Sequence, residues 1–504
     1  MLGLNASKGK NVVSEASASA QYRLDQINNF SVNFENRESY EAELESFITQ
    51  GIHGQPDELQ LFFHAGPWES TDGGGGSSWR NPYGRADGDY VTDLALARST
   101  TATRLNADGY IVPVSSHEVR VDFVGQLPAG TGKQAINGHV LLEPAATNQC
   151  TDSIDFTDST ASDIFVGTAN NTRLFGSTIA SNTTETVAPD GTYTATKFSS
   201  VDGQANALVQ WLNTTITQNS NNVLSIFAKK GAGDYINIRF NALDVDASVY
   251  FNLANGTVGT NANTAFHSIE DYGHGWYRCT VVYNNSGSDV LGHVRIYVAE
   301  DDNDRSLSSA VQGVNHCYIW GLQTETSATI KYPTSYIPTS GGQATRSADS
   351  VAGAQDSNYI DSDAGTMYLN MQARWNGTDT SALFLADASS TGHRIGFTVG
   401  EGSSASITQN MFAGGPPTTT STVGSKNTED FFKIALRWDS SSCDMYFNGS
   451  SAVTDSSVTP PSNMDKVYLS QTTGTNPMYG RVRNISIFGI KLSDSEIAAL
   501  TDNS

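Results

Sequence analysis

"GLQTETSATIKYPTSYIPTSGGQATRSADS" occupies residues 321–350 of a 504-residue chain, and its reading decides how many folding units the chain holds. It opens as an apolar/polar alternation, passes Pro333 and Pro338, crosses Gly341 and Gly342, and resumes as the start of something new. Each proline fixes φ and lacks an N–H donor, which ends sheet pairing, while the glycines free the path to turn. The stretch predicts a semi-rigid joint near 333–350 between two modules in series.

On its N-terminal side, "NVLSIFAKK", "YINIRF", "SVYFNL", "GWYRCTVVY", "HVRIYVA" and "HCYIWGL" are short runs rich in Ile, Val, Tyr and Phe, and Asn255-Gly256 supplies a two-residue hairpin turn. On its C-terminal side, "TMYLNMQARW" and "RIGFTV" alternate, and "CDMYFNGSSAV" turns at Asn448-Gly449. A capping box, Ser493 with Glu496, opens a short helix whose apolar face is Ile497 and Leu500. The fold class expected is mainly β: two antiparallel β-sandwiches of jelly-roll type after a small mixed N-terminal region. The boundaries are 1–92, 93–147 as a connector carrying an Asp108-Gly109 hairpin, 148–338 and 339–504.

The first 92 residues hold one amphipathic helix, "ESYEAELESFITQG", and a strand-like run, "LQLFFHAGPW". Leu44, Phe47, Phe62, Phe63 and Trp68 form the densest apolar set there, so this region is expected to anchor the chain to another protein.

Composition removes whole classes of function. Charged residues are 16 % of the chain and the formal charge is −23, spread along the sequence, so the surface repels phosphate backbones and anionic lipids. Neither nucleic acid nor membrane is an expected partner. No run is long and apolar enough to span a bilayer, and the start, "MLGLNASKGKNVVSEAS", lacks the apolar core of an export signal. Cys150, Cys279, Cys317 and Cys443 lack metal-ligand spacing and read as buried thiols, with a Cys279–Cys317 bridge left open.

No catalytic constellation stands out. His139, His274 and His293 sit at turns or strand entries without a second histidine at metal spacing, and no nucleophile elbow is present. In "VAEDDNDR", Glu300, Asp301, Asp302 and Asp304 read as a solvated acidic loop lacking the glycine and glutamate of an EF-hand. No cofactor is expected, and calcium at that run is the one ion left open.

"ARSTTATRLNADGYIVPV", "LLEPAATNQCTDSIDFTD", "DYGHGWYRCTVVY" and the 321–350 stretch together resemble the modular virion proteins of tailed bacteriophages, in which a connector precedes a carbohydrate-binding-module-like jelly roll. "YFNGS" and "GRVRNISIFGIKLSDSEIAAL" resemble the concanavalin A-like or laminin-G-like sandwich that follows in the same proteins. The resemblance covers roughly residues 93–504. It implies a non-enzymatic fibre, spike or head-decoration subunit, located in the virion, contacting other virion proteins and host-surface glycans, and assembled as a homo-oligomer, a trimer by preference. The alternatives are a tail-associated glycan depolymerase and a secreted lectin or adhesin.

Sugar sites need an aromatic platform beside hydrogen-bonding groups. Trp276, Tyr277 and Trp320 fall on strands and read as core, whereas Trp211, Trp375, Trp68 and Trp79 are freer to be exposed. In "ADASSTGHR", Asp387, Ser390, His393 and Arg394 are the expected rim of a site on the second sandwich.

Overall fold

A computed structural model describes residues 95–125, 138–156, 172–175, 177–200, 207–242, 245–307, 315–352, 360–375, 380–456, 458–471 and 476–502, together with the strands Leu59–His64, Glu69–Ser70 and Trp79–Arg80. The architecture is mainly β, with sheets that pair antiparallel throughout.

The first sandwich has two six-stranded sheets. Sheet I runs in the order Thr172–Phe175, Ala207–Ile216, Val290–Ala299, Tyr235–Ala242, Val245–Asn252, Thr257–Ala262. Sheet II runs Ser177–Ala180, Thr196–Ser200, His316–Ser327, Ser220–Lys230, Trp276–Asn285, Phe266–Asp271. Alternate positions such as Ile236, Ile238 and Phe240 on sheet I and Leu224, Ile226 and Val281 on sheet II meet in one core, joined by Cys279 and Cys317. All four cysteines are buried free thiols. The Asn255-Gly256 turn is longer than expected: Val245–Asn252 and Thr257–Ala262 are joined by four residues, with Gly256 at φ 69°.

The second sandwich pairs sheet III with sheet IV. Sheet III runs Ser450–Asp455, Cys443–Phe447, Phe432–Trp438, Gly365–Ala373, Gly480–Phe488, His139–Leu142, Val121–Asp122. Sheet IV runs Pro417–Lys426, Ala405–Ala413, Ser390–Val399, Ser381–Asp387, Lys466–Tyr468. Between them lie Met367, Leu369, Phe397, Met411, Trp438 and Ile485. Asn448 and Gly449, at φ 46° and 79°, form the expected two-residue turn. The capping box at Ser493 and Glu496 starts the helix Asp494–Thr501, which buries Ile497 and Leu500.

Two segments depart from the expected layout. Residues 93–147 do more than connect. Ala95–Ala97 pairs with Ser350–Ala352, His139–Leu142 extends sheet III beside Gly480–Phe488, and Leu96, Val140 and Leu142 enter the second core. The hairpin of Ala102–Leu105 and Ile111–Val114 instead places Leu105 and Ile111 in a cluster on the outside of sheet II. The strand Leu59–His64 also pairs with Gly480–Phe488, with Phe62 opposite Ser486 and Phe63 opposite Ile485. Phe62 and Phe63 therefore sit on a strand of sheet III, not in a region standing apart; backbone hydrogen bonding to an open strand edge is the reason. Leu44, Phe47 and Trp68 lie outside the described residues.

The 321–350 stretch is a clamp more than a joint. After His316–Ser327 ends, the chain doubles back over the outer face of the same sheet. Tyr336 packs its ring 4.6 Å from that of Trp320. The Ile337 N–H donates to Gln323 Oε1 at 2.7 Å, and Thr334 Oγ1 donates to Glu325 Oε1 at 2.6 Å. Farther along, Arg346 and Asp349 join Arg98, Arg120 and Glu143 in an ion cluster in which no side chain is more than 1 % exposed. Arg120 bridges both carboxylates, 2.7 Å from Glu143 Oε2 through Nη1 and bonded to Asp349 through Nη2. Arg98 Nη1 lies 2.9 Å from Asp349 Oδ1. Burial alone would raise the Glu143 carboxyl, but Arg346 and Arg120 outweigh it and hold it at about 2. One partner removed would leave an uncompensated buried charge, so this cluster fixes the 93–147 and 339–352 segments to each other.

The sandwiches also touch directly. Glu270 on sheet II accepts from Arg374 Nη1 at 2.9 Å and from Arg481 Nη1 at 3.2 Å, both on sheet III or its end. Against the upward push of burial, Arg481 and Arg374 bring the Glu270 carboxyl to about 2.

Candidate binding face

A binding surface on a sandwich needs an outer sheet face that nothing else covers. Sheet II fails this test. Its outward residues Phe227, Trp276, Tyr318 and Trp320 lie under Leu105, Ile111, Ala188, Ala195 and Tyr336. Their polar tips are used internally: Trp276 Nε1 donates to the Val187 carbonyl and Trp320 Nε1 to Thr194 Oγ1, both at 2.9 Å. On sheet I, the outward-register residues Asn237, Tyr250 and Tyr297 are also shut in, at 0 %, 5 % and 6 % exposure, with Arg305 5.0 Å above the Tyr297 ring.

Sheet IV differs. Its inner register, Leu383, Leu385, Ile395, Phe397, Val399, Ile407, Met411 and Val467, is consumed by the core. The period of two puts the alternate residues on the other side, and the pairing sorts them into three rungs. The first is Lys466–Ala386–Arg394–Phe412. The second is Tyr468–Phe384–Gly396–Asn410–Thr420, and the third is Ala382–Thr398–Thr408–Thr422. Lys466, Arg394, Phe412, Asn410 and Tyr468 are half-buried, and Thr420 and Thr422 are exposed.

Local chemistry orders this face. The Arg394 guanidinium carbon stands 3.5 Å over the Phe412 ring and 5.9 Å from that of Phe384, and Lys466 Nζ is 5.1 Å from the Tyr468 ring. Such cation–ring contacts hold long side chains flat along a sheet. Gly396 makes room for Phe384: a Cβ there would fall 2.1 Å from the Leu383 carbonyl oxygen and 2.7 Å from the Phe384 ring. Thr420 Oγ1 donates to Asn410 Oδ1 at 3.2 Å, and Thr408 and Thr422 hydroxyls meet at 2.8 Å. The result is a half-buried patch of two cation-capped rings, Phe412 and Tyr468, over a buried Phe384 and bordered by amide and hydroxyl groups, able to offer ring edges to a sugar and to exchange hydrogen bonds with its hydroxyls.

The residues expected from sequence divide around this face. Arg394 stands in its first rung. His393 faces the other way at the strand end, with Nδ1 3.1 Å from Ser462 Oγ. Asp387 is spent closing the hairpin, accepting from the Ser389 N–H at 2.7 Å and its hydroxyl at 2.6 Å, and these bonds hold its carboxyl below the usual range. Ser390 is exposed at the same turn, at the margin of the face. Trp375 is a correction: it is 3 % exposed, at φ 63°, with Nε1 donating to the Pro333 carbonyl at 3.1 Å, so it wedges the 321–350 clamp against the second sandwich. Trp211 stands opposite Val294 in sheet I, away from sheet IV. Sequence reasoning missed Phe412 and Tyr468, whose signal was their place on the polar register of alternating strands.

The acidic run at 300–304 serves its own loops. Asp302 accepts from the Thr260 N–H at 2.7 Å and hydroxyl at 3.0 Å, and Asp304 Oδ1 from the Ser306 N–H at 2.8 Å. Among the described residues no group of three or more His, Cys, Asp or Glu side chains converges as a metal site.

No family model and no curated protein matches the chain. Solved structures similar to part of it include the CBM40 domain of the Ruminococcus gnavus IT-sialidase, 16 % identical over 30 % of this chain and 93 % of that one, TM-score 0.26. Leech intramolecular trans-sialidase is 17 % identical over 30 % of this chain and 26 % of its own, TM-score 0.25. Domain 4 of AbnA, a GH43 extracellular arabinanase from Geobacillus stearothermophilus in complex with arabinotriose, is 16 % identical over 34 % and 83 %, TM-score 0.25. Likenesses this distant decide nothing about what the chain binds.

Proposed function

We infer that this chain is a non-enzymatic glycan-binding protein whose binding surface is the outer face of sheet IV. The observation that carries this reading is the half-buried group of Tyr468, Phe412, Arg394 and Asn410 brought together on two neighbouring rungs of the outer register. The modular resemblance of residues 93–504 supports a setting for it: a fibre, spike or decoration subunit of a tailed-phage virion, mounted through other virion proteins and working as a trimer. Several shallow sites presented together gain avidity that one site lacks.

The test of binding is a glycan array probed with the wild-type chain and with Phe412→Ala/Tyr468→Ala. Signal from wild type and its loss in the double variant, with unchanged thermal unfolding, is the expected result; equal signal from both overturns the assignment of the face. For mounting, Leu44→Asp/Phe47→Asp should no longer co-sediment with assembled particles, and undiminished incorporation would refute the anchoring role.

A further inference from the structure

We propose that the glycan held on sheet IV is acidic, a polysaccharide carrying carboxylates on its sugars, with Arg394 and Lys466 as the paired cationic anchors. This rests on the glycan-binding reading above and adds the chemical class of the ligand.

Three observations carry it. The chain holds 52 acidic residues against 29 Lys and Arg, yet the three outward rungs of sheet IV contain two cations and, among the described residues, no Asp or Glu. The cations share one rung, separated by the Ala386 strand, so their strands are two spacings apart, about 10 Å. Carboxylates on neighbouring sugars of one chain can span that distance. Alanine between them leaves the floor of the rung low, and Phe412 and Tyr468 hold each cation along the surface instead of letting it extend into solvent.

Asp387 and Asp465 stand outside the rungs, although burial first and then their charges push the Tyr468 hydroxyl up, and each accepts hydrogen bonds: Asp387 closes its own turn, and Asp465 Oδ1 accepts the Ala388 N–H at 2.6 Å. An acidic ligand would meet two positive groups and rings within a face otherwise polar and uncharged. Attraction to this patch from a strongly negative molecule also sets orientation, because the patch is where an anion is least repelled.

The test pairs uronic-acid polysaccharides (polygalacturonate, alginate, hyaluronan) with their carboxyl-reduced counterparts, against the full chain. The expected result is retention of at least one native polymer about tenfold more strongly than its reduced form, the scale of one or more hydrogen bonds to a charged group. Arg394→Gln and Lys466→Gln should each erase most of that preference, and added salt should weaken the native polymer alone. Equal retention of native and reduced forms, both lost in Phe412→Ala/Tyr468→Ala, would overturn the acidic class while leaving the glycan reading standing. Retention of none of these polymers, with a neutral glycan bound on the array, would do the same. No binding of any glycan would overturn both, and capture of an acidic protein instead would count against both.

Discussion

The outer faces of sheets II and IV are built from the same kinds of residue and meet opposite fates. Each carries aromatic side chains at alternate positions, an arginine laid over a phenylalanine and a few hydroxyls. Arg278 sits 5.3 Å over Phe227 on sheet II much as Arg394 sits over Phe412 on sheet IV. On sheet II the 93–147 hairpin and the returning 331–339 segment cover everything, and Arg278 Nη1 ends on the Thr334 carbonyl at 2.7 Å. Phe412 and Tyr468 are only half-buried. Face chemistry alone does not make a binding site; what packs on the face decides whether it serves stability or recognition.

That contrast can be broken first at the clamp. Glu143→Gln removes one carboxylate from between two buried arginines and should cost about 3–5 kcal/mol, the scale for breaking a buried pair. Chemical denaturation would read this. A loss under about 1 kcal/mol would mean the cluster is hydrated in solution and the cover over sheet II is loose. The same groups set an acid limit. The folded pKa of Glu143 and of Glu270 is about 2, below the ordinary carboxylate value, so their contribution is present above the ordinary value and is lost as pH falls towards 2. His139 is held by burial near 4, below its ordinary 6.5, so the unfolded chain takes up its proton first and stability starts to fall below that ordinary value. Thermal unfolding followed from pH 7 to pH 3 should show both declines, and a flat profile would contradict the buried placement of Glu143 and His139 and the pairing of Glu270.

Trp320→Ala on the covered face should cost about 3–5 kcal/mol, as a fully packed aromatic does. Phe412→Ala on the open face should cost under about 1.5 kcal/mol and act on binding instead. If the two losses are equal, the faces are equally buried and the distinction fails. Between these lies Gly396→Ala, whose Cβ collides with backbone at Leu383, for an expected loss of about 1–3 kcal/mol together with a displaced Phe384.

Much of this fold is legible in the sequence because local chemistry dictates it. Asn448-Gly449 takes the positive φ its turn requires, Ser493 and Glu496 cap their helix, and period-two runs become strands with the apolar register inward. What is not legible depends on pairings far apart in the chain. Arg98 meets Asp349 across 251 residues, and no local pattern announces it. Alternation separates two faces of a strand but does not say which is covered, so Trp375 looked exposed and Phe412 went unnoticed. For the candidate site, Arg394 was found through its loop while its ring partners were hidden in a run that reads simply as a strand. Pro333 and Pro338 do end the pairing, yet the chain they release returns to the sheet it left.

The account turns on the difference between a covered and an open face, and hydroxyl-radical footprinting of the full chain measures that difference directly. Phe412 and Tyr468 should be modified readily in the free protein and protected when the bound polysaccharide is added, while Trp276 and Trp320 stay protected in both states. Ready modification of Trp276 and Trp320, or labelling of Phe412 and Tyr468 that saturating polysaccharide leaves unchanged, would contradict it.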